Sequence, residues 1–386
     1  MLYYRYRTGN ELSIKELIYD EMFFASVSEC NDPYEGKLFA VFDKDAECWS
    51  NLIEIALKPF NMQRAVELKQ RIIDYFVGKS PIYVGEVLNL SNDEFLTIAK
   101  NQTENVLLPF VLVEIKNYIN NYVPPEQYFV SLSKSATNYL MWSHYANNHK
   151  GYCLIFRPIN GEIKQNPLWK RTSISHLTPR SPFPSMSYHI GDAFKVKDIE
   201  YLSAPEPVNA FMCFPTAICG ENYSEEEMQR FRNAFHTVYY KKHGVWEYEK
   251  EARLVISGDI PWLSGERFSL TTHQRLFHYE STQLVGIVLG AKMSKGDKQR
   301  IKEIIKEKVE RWYTGKPKET IISDFVLFEE KLSENNRNIE IEAHEIYTGF
   351  EVLAKNEPSF SKKLTEWEQG YAIKFSGTIS EKIRIE

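Results

Sequence analysis

Residues 128–157 read YFVSLSKSATNYLMWSHYANNHKGYCLIFR. Tyr128 to Ser133 mixes aromatic and branched residues in the manner of a strand. Asn138 to about His149 has the spacing of a helix, and Gly151 is placed to stop it. Tyr152 to Arg157 is a second strand, closed by Pro158. Elsewhere several strands follow one another with no helix between them. That favours an α+β fold over a doubly wound parallel one. The expected core is a mainly antiparallel sheet, whole or split, with flanking helices and a helical insertion.

Working outward, Leu2 to Arg7 reads as a strand. Leu12, Ile14, Leu17 and Ile18 form one helical stripe, and Met22 to Val27 a short strand. Asn31-Asp32-Pro33 then supplies turn chemistry. Helical spacing dominates residues 44–123, over Asn51 to Phe60, Met62 to Phe76 and Asp93 to Tyr122. This block holds no concentrated polar set and reads as an insertion outside the sheet. Residues 158–190 read as a long loop and Phe194 to Leu202 as a strand. Ser224 to Tyr240 reads as a helix with Glu225, Glu226 and Glu227 in its first turn, where the helix dipole favours acids. Strands are expected at Arg253 to Ser257, at Leu284 to Leu289 and from near Thr320. Between the last two lies a helix from Lys295 to about Trp312, opened by a capping box of Ser294 and Asp297. The charged and apolar alternation after it predicts further β structure. The expected organisation is one domain over 1–312 and a β-rich extension over 313–386 packed on it.

Composition narrows the function. Hydrophobic residues make up 43% and charged residues 26% of the 386, which excludes wholesale disorder. A net charge of −5 excludes a whole-molecule basic footprint for nucleic acid. No apolar run reaches the ~18 residues of a membrane span. With no secretory core in MLYYRYRTGNELS, a cytoplasmic protein with no membrane partner is expected. Cys30, Cys48, Cys153, Cys213 and Cys219 lack C-x-x-C spacing, and only Pro215 marks the interval between the last two. Reduced thiols and no zinc site follow. The phosphate-loop, dinucleotide and nucleophile-elbow motifs are absent.

Four segments have side chains suited to chemistry. Asn138 to Gly151 offers Tyr139, Trp142 and Tyr145 as an aromatic wall for a planar ligand, beside His144. His144 and His149 sit five apart and diverge on a helix, so they do not suit a metal. In Trp246 to Leu254, extended backbone turns Glu247, Glu249 and Glu251 to one face, where they need cations, solvent or a ligand. Arg253 continues that face and can neutralise one of them. In Tyr3 to Arg7, arginine forks can grip phosphate or ribose oxygens while tyrosines stack. Asp32 and Glu35 beside Lys37 superficially resemble a nuclease metal centre. The bland readings are a core helix, a charged strand edge and a half-buried edge strand.

Tyr4 to Arg7, Asn31 to Pro33, Met141 to Gly151 and Trp246 to Arg253, in that order, resemble a widespread bacterial family of domains of unknown function. Val285 to Gly290 adds a weaker block. The same order is similar to that of ADP-ribosyltransferases. That resemblance implies a polar residue on the first core strand holding the adenosine ribose of NAD, an aromatic and hydroxyl-bearing middle segment gripping nicotinamide, and a late Glu bonding the nicotinamide ribose. Glu249-Lys250-Glu251 matches the Glu-x-Glu of arginine-directed members, with Glu251 and Glu249 catalytic. Arg5, Arg7, Tyr6, Ser133, Trp142, His144 and Tyr145 would hold NAD, which is substrate, and no metal is implied. Ser131-Leu132-Ser133 stands nearest the family's Ser-Thr-Ser strand. The expectation is an NAD-consuming enzyme that transfers ADP-ribose to a protein or nucleic acid, or hydrolyses NAD. At fold level alone it suggests a role in phage defence or as a toxin. The alternatives are a metal-dependent nuclease built on His144, Asp32 and Glu35, and a non-catalytic module binding a nucleotide or peptide.

Overall fold

Alternation of ring and guanidinium along Tyr3–Arg7 makes this first strand, β1, two-faced. The computed structural model describes residues 1–60, 66–122, 127–176, 186–204, 207–214, 216–219, 224–256, 270–313, 325–333, 335, 338–349 and 351–371. β1 pairs antiparallel with Tyr128–Ser133, β2, and with Tyr152–Phe156, β3. Lys197–Asp198, β4, pairs with Glu251–Ile256, β5, which pairs in turn with β2. Leu284–Leu289, β6, joins β3 on the other side. Phe325–Leu332, Ile339–Thr348 and Glu351–Ala354, β7 to β9, continue the sheet. Its order is β4-β5-β2-β1-β3-β6-β7-β8-β9, with Ala25–Ser26 pairing off this path to β2. Only the β6–β7 pairing is parallel in this path, and it is bridged by the helix Lys295–Tyr313. The α+β, mainly antiparallel expectation holds.

One face of the sheet carries Tyr128, Val130, Leu154, Leu254 and Ile287 in a core shared with the helix Glu11–Tyr19, α1. Asn10 caps α1 by accepting from the Ser13 amide at 2.9 Å. The other face carries Tyr4, Tyr6, Ile155 and Val326 with Met141, Trp142 and Trp367. A third core joins residues 40–119 to residues 208–231, and in it Trp49 stacks on Phe76 at 4.6 Å within the helices Ala46–Leu57 and Val66–Lys79, α2 and α3. Gln102–Tyr122, α4, completes that helical unit. Its short strand Ile82–Tyr83 pairs with Ala40–Phe42 in a small sheet of its own. Among the described residues no helix is long and apolar enough to cross a membrane. The five cysteines are free.

Several boundaries differ from the sequence reading. The helix after β2, α5, spans Tyr139–Tyr145 and ends well before His149. Asn147, Asn148 and His149 adopt left-handed φ of 49°, 53° and 67°, which an α-helix cannot include. Gly151 does not stop the helix. A Cβ there would lie 2.1 Å from the Arg7 carbonyl, so glycine permits the close approach of β1. The loop expected over 158–190 contains the strands Glu162–Lys164, Ser173–His176 and Met186–His189, while 177–185 lie outside the described residues. Phe194 to Leu202 is not one strand. It divides into Ala193–Lys195, β4 and Glu200–Leu202, each with a different partner. Met22 to Val27 likewise divides into Glu21–Phe23 and Ala25–Ser26. Of the expected Ser294–Asp297 capping box the forward bond forms, the Asp297 amide donating to the Ser294 hydroxyl at 3.1 Å, and that hydroxyl in turn donates to the Asp297 carboxylate at 2.6 Å. The last described element is a helix, Phe360–Tyr371, whose Trp367 donates its indole N–H to the Val285 carbonyl at 3.2 Å. Pro215, Ser257, Thr320 and the stretch 372–386 lie outside the described residues.

Candidate active site

The sheet order sets the first strand, the serine strand and the late glutamate strand side by side. Ser133 on β2 is in register with Tyr4 on β1 and with Glu251 on β5, and Ser131 with Arg253. Side chains on one face of neighbouring strands meet across the rungs. They form the floor of a cleft of about 340 Å³. Tyr4, Tyr6, Phe129, Met141 and Tyr145 give it an apolar and aromatic lining, and Glu35, Lys242, Glu249, Glu251 and Arg253 give it charge.

The charged residues form one network. Arg253 is wholly buried over the Phe129 ring. It donates Nε to Glu251 at 2.7 Å, Nη2 to the same carboxylate at 3.0 Å, and Nη1 to Glu35 at 2.7 Å. Lys242 Nζ stands 2.7 Å from Glu249, 3.1 Å from Glu251 and 3.7 Å from Glu35. The Tyr145 hydroxyl donates to Glu249 at 2.6 Å, and Asn31 bonds that hydroxyl as well. The Glu251 amide donates to the Tyr201 hydroxyl at 2.7 Å, and Ser131 bonds the Glu251 carboxylate. Burial by itself would raise the Glu251 carboxyl. Arg253 and then Lys242 outweigh it and hold the group well below the usual carboxylate range. Burial would lower Lys242, but Glu251 and Glu249 together hold it above its ordinary value. Burial, reinforced by the Glu249 hydrogen bond, raises Tyr145, so it stays a donor at neutral pH. Cys30 also lines the cleft. Burial and then Glu35 push its thiol up to about 12, which removes it as a thiolate nucleophile.

Local geometry delivers the two glutamates differently from the extended pattern. Gly244–Glu249 is a 3₁₀ turn, and Lys250 follows with a left-handed φ of 44°. Glu247 is therefore not on the strand face. Glu249 and Glu251 converge because the chain kinks between them, and Lys242 holds both. Ser133 fixes the kink by donating its hydroxyl to the Glu249 carbonyl at 2.7 Å.

Of the expected site residues, Tyr6, Ser133, Tyr145, Glu249 and Glu251 line the cleft. Arg253 neutralises Glu251, as its position on that face suggested. Arg5 and Arg7 are a correction. They point to the opposite face of β1 and pair with Glu16 of α1 at 3.8 and 2.5 Å. Trp142 is another. It is wholly buried, donates to the Ala136 carbonyl at 2.7 Å and stacks on His149, so it supports α5 rather than a ligand. His144 is exposed on the outer side of α5 and does not line the cleft. The nuclease set is not assembled: Glu35 reaches the cleft, whereas buried Asp32 accepts from the Tyr34 amide and lines a neighbouring cavity. Among the described residues, no group of three or more His, Cys, Asp or Glu is arranged to hold a metal. Sequence reasoning missed Lys242 and Tyr201. The run Lys241-Lys242-His243 shortly before the acidic block was the available signal for the first.

Residues 141–254 match the family described as protein of unknown function (DUF2971). The match includes Tyr145 and four of the cleft's charged residues, Lys242, Glu249, Glu251 and Arg253, while Glu35 lies outside it. It takes in the blocks Met141 to Gly151 and Trp246 to Arg253, while Tyr4 to Arg7 and Asn31 to Pro33 lie outside it. No curated protein and no solved structure matches the chain.

Proposed function

We propose that the cleft cleaves the nicotinamide–ribose bond of NAD, with ADP-ribose passing to water or to an acceptor. The observation that carries this is the rung Tyr4–Ser133–Glu251, which sets a first-strand ring, a hydroxyl and a late carboxylate across three adjacent strands. Three carboxylates, Glu35, Glu249 and Glu251, face two cations, Lys242 and Arg253, so the fixed charges sum to −1. A negative, preorganised wall favours a transition state in which the ribose gains positive charge over a substrate in which the charge sits on the nicotinamide ring. The C–N bond breaks with its electron pair going to the nicotinamide nitrogen. The nucleophilic oxygen or nitrogen bonds to the ribose carbon, and its proton passes to solvent. Glu251 answers the developing cation. Tyr6 and Tyr145 wall the nicotinamide side, and Glu249, gripped by Tyr145 and Lys242, faces the acceptor. A volume of about 340 Å³ suits a nicotinamide riboside and is near the lower end of ligand pockets.

Incubating the purified chain with NAD and measuring free nicotinamide by chromatography tests this. Release above the background of the Glu251→Gln variant is expected. Binding of nucleotide with no release would instead make the cleft a binding module.

A further inference from the structure

With Arg5 and Arg7 turned to the back of the sheet, the ADP half of NAD has lost its expected holders. A cavity of about 740 Å³ adjoins the cleft, and Lys242 lines both. The two are also linked along the chain, since Asn31 lines the cleft and Asp32 the cavity. Its apolar surface comes from Leu38, Phe39, Leu202, Val208 and Val238, with the Tyr34 ring at the edge. Its cations are Lys37, Arg230 and Lys241, against Asp32 and Glu200. Lys241 stands 4.0 Å from Glu200, whereas Lys37 and Arg230 are exposed and make no ion pair among the described residues. Lys37 Nζ lies 5.8 Å from the Tyr34 ring centroid and Arg230 acts on Glu227 through space, but among the described residues neither is held in a close ion pair; an apolar, ring-bearing pocket with such cations suits a planar base that carries phosphates.

Resting on the NAD reading above, we propose that this cavity is the site for the ADP half of the substrate, with Lys37 and Arg230 facing its phosphates. NAD then runs from the cleft past Lys242 into the cavity, and the two arginines of β1 take no part in binding it. Adenosine alone should bind more weakly than ADP, because it brings no charge to the two cations.

The test is calorimetric binding of ADP to the full chain, which requires no turnover. Wild type should bind ADP, and more weakly as salt rises. Arg230→Glu and Lys37→Glu should each weaken ADP binding about tenfold or more, equivalent to ~1.4 kcal/mol. Both positions are exposed, and circular dichroism checks that the variants remain folded. Arg7→Gln should bind ADP as wild type does. Loss of ADP binding in Arg7→Gln with none in Arg230→Glu and Lys37→Glu would overturn the proposal, as would a wild type that fails to bind ADP. ADP binding of the expected pattern without nicotinamide release would leave the cavity assigned and sink the NAD-cleavage reading. Nicotinamide release with a KM for NAD untouched by Arg230→Glu and Lys37→Glu would do the reverse.

Discussion

The two faces of β1 bury charge in opposite ways. Toward the cleft, Tyr4 and Tyr6 overlook a network in which Glu251, Glu249 and Glu35 are each engaged by Arg253 or Lys242. Toward α1, Arg5 and Arg7 share the single carboxylate of Glu16, and among the described residues Arg5 Nη1 and Arg7 Nε find no hydrogen-bond partner. Burial lowers the Arg5 guanidinium to about 10, with Glu16 only partly offsetting it. The front is thus a paired, slightly negative network and the back an under-compensated positive pair. A network of the first kind can meet a developing cation without rearranging, whereas the second is a cost carried by the surrounding core.

The largest effect should come from removing the cation at the centre of the front network. Arg253→Met leaves Glu251 and Glu35 buried with only Lys242 to answer them. Urea unfolding should show a loss of about 3–5 kcal/mol, the usual result of orphaning a buried charge. A loss below ~1 kcal/mol would mean that the two faces do not differ in the way described. Next comes the charge itself. Glu251→Gln retains the shape, so NAD should still bind, but nicotinamide release should fall about 100-fold or more. Wild-type turnover in that variant would remove Glu251 from the chemistry. Loss in Glu249→Gln alone would exchange the roles of the two glutamates. The smallest effect belongs to the back. Arg7 is 26% exposed, so Arg7→Gln should change stability by no more than ~1 kcal/mol and leave nicotinamide release intact. A drop in release would bring the back face into the site.

Some of this was legible in the chain. β2, β3 and β6 could be read directly, because apolar and branched side chains mark buried strands whatever surrounds them. The Glu-x-Glu run was visible as an excess of like charge that needed an answer. Its answer was only half visible. Arg253 lies on the same strand, but Lys242 lies on the short strand Lys241–His243, which the 3₁₀ turn folds back beside the glutamates, and Glu35 comes from a loop near the other end of the sequence. The extended reading also misplaced Glu247, because it could not foresee a left-handed Lys250. The α5 segment does border the cleft, yet its most conspicuous ring, Trp142, went to the core and Tyr145 to the cleft.

The sequence by itself determined that Tyr4 and Tyr6 would part from Arg5 and Arg7, since a strand has a period of two. It also determined the local caps at Asn10, Asn138 and Ser294, because those bonds span only a few residues. Which face of β1 would become the cleft was decided only by the tertiary structure. That choice depends on β2 and β5 pairing beside β1 and on α1 covering the other side. Hydrophobic burial drives such assembly but has no direction of its own, so the order of strands and the partners of buried charges emerge only when the whole chain packs.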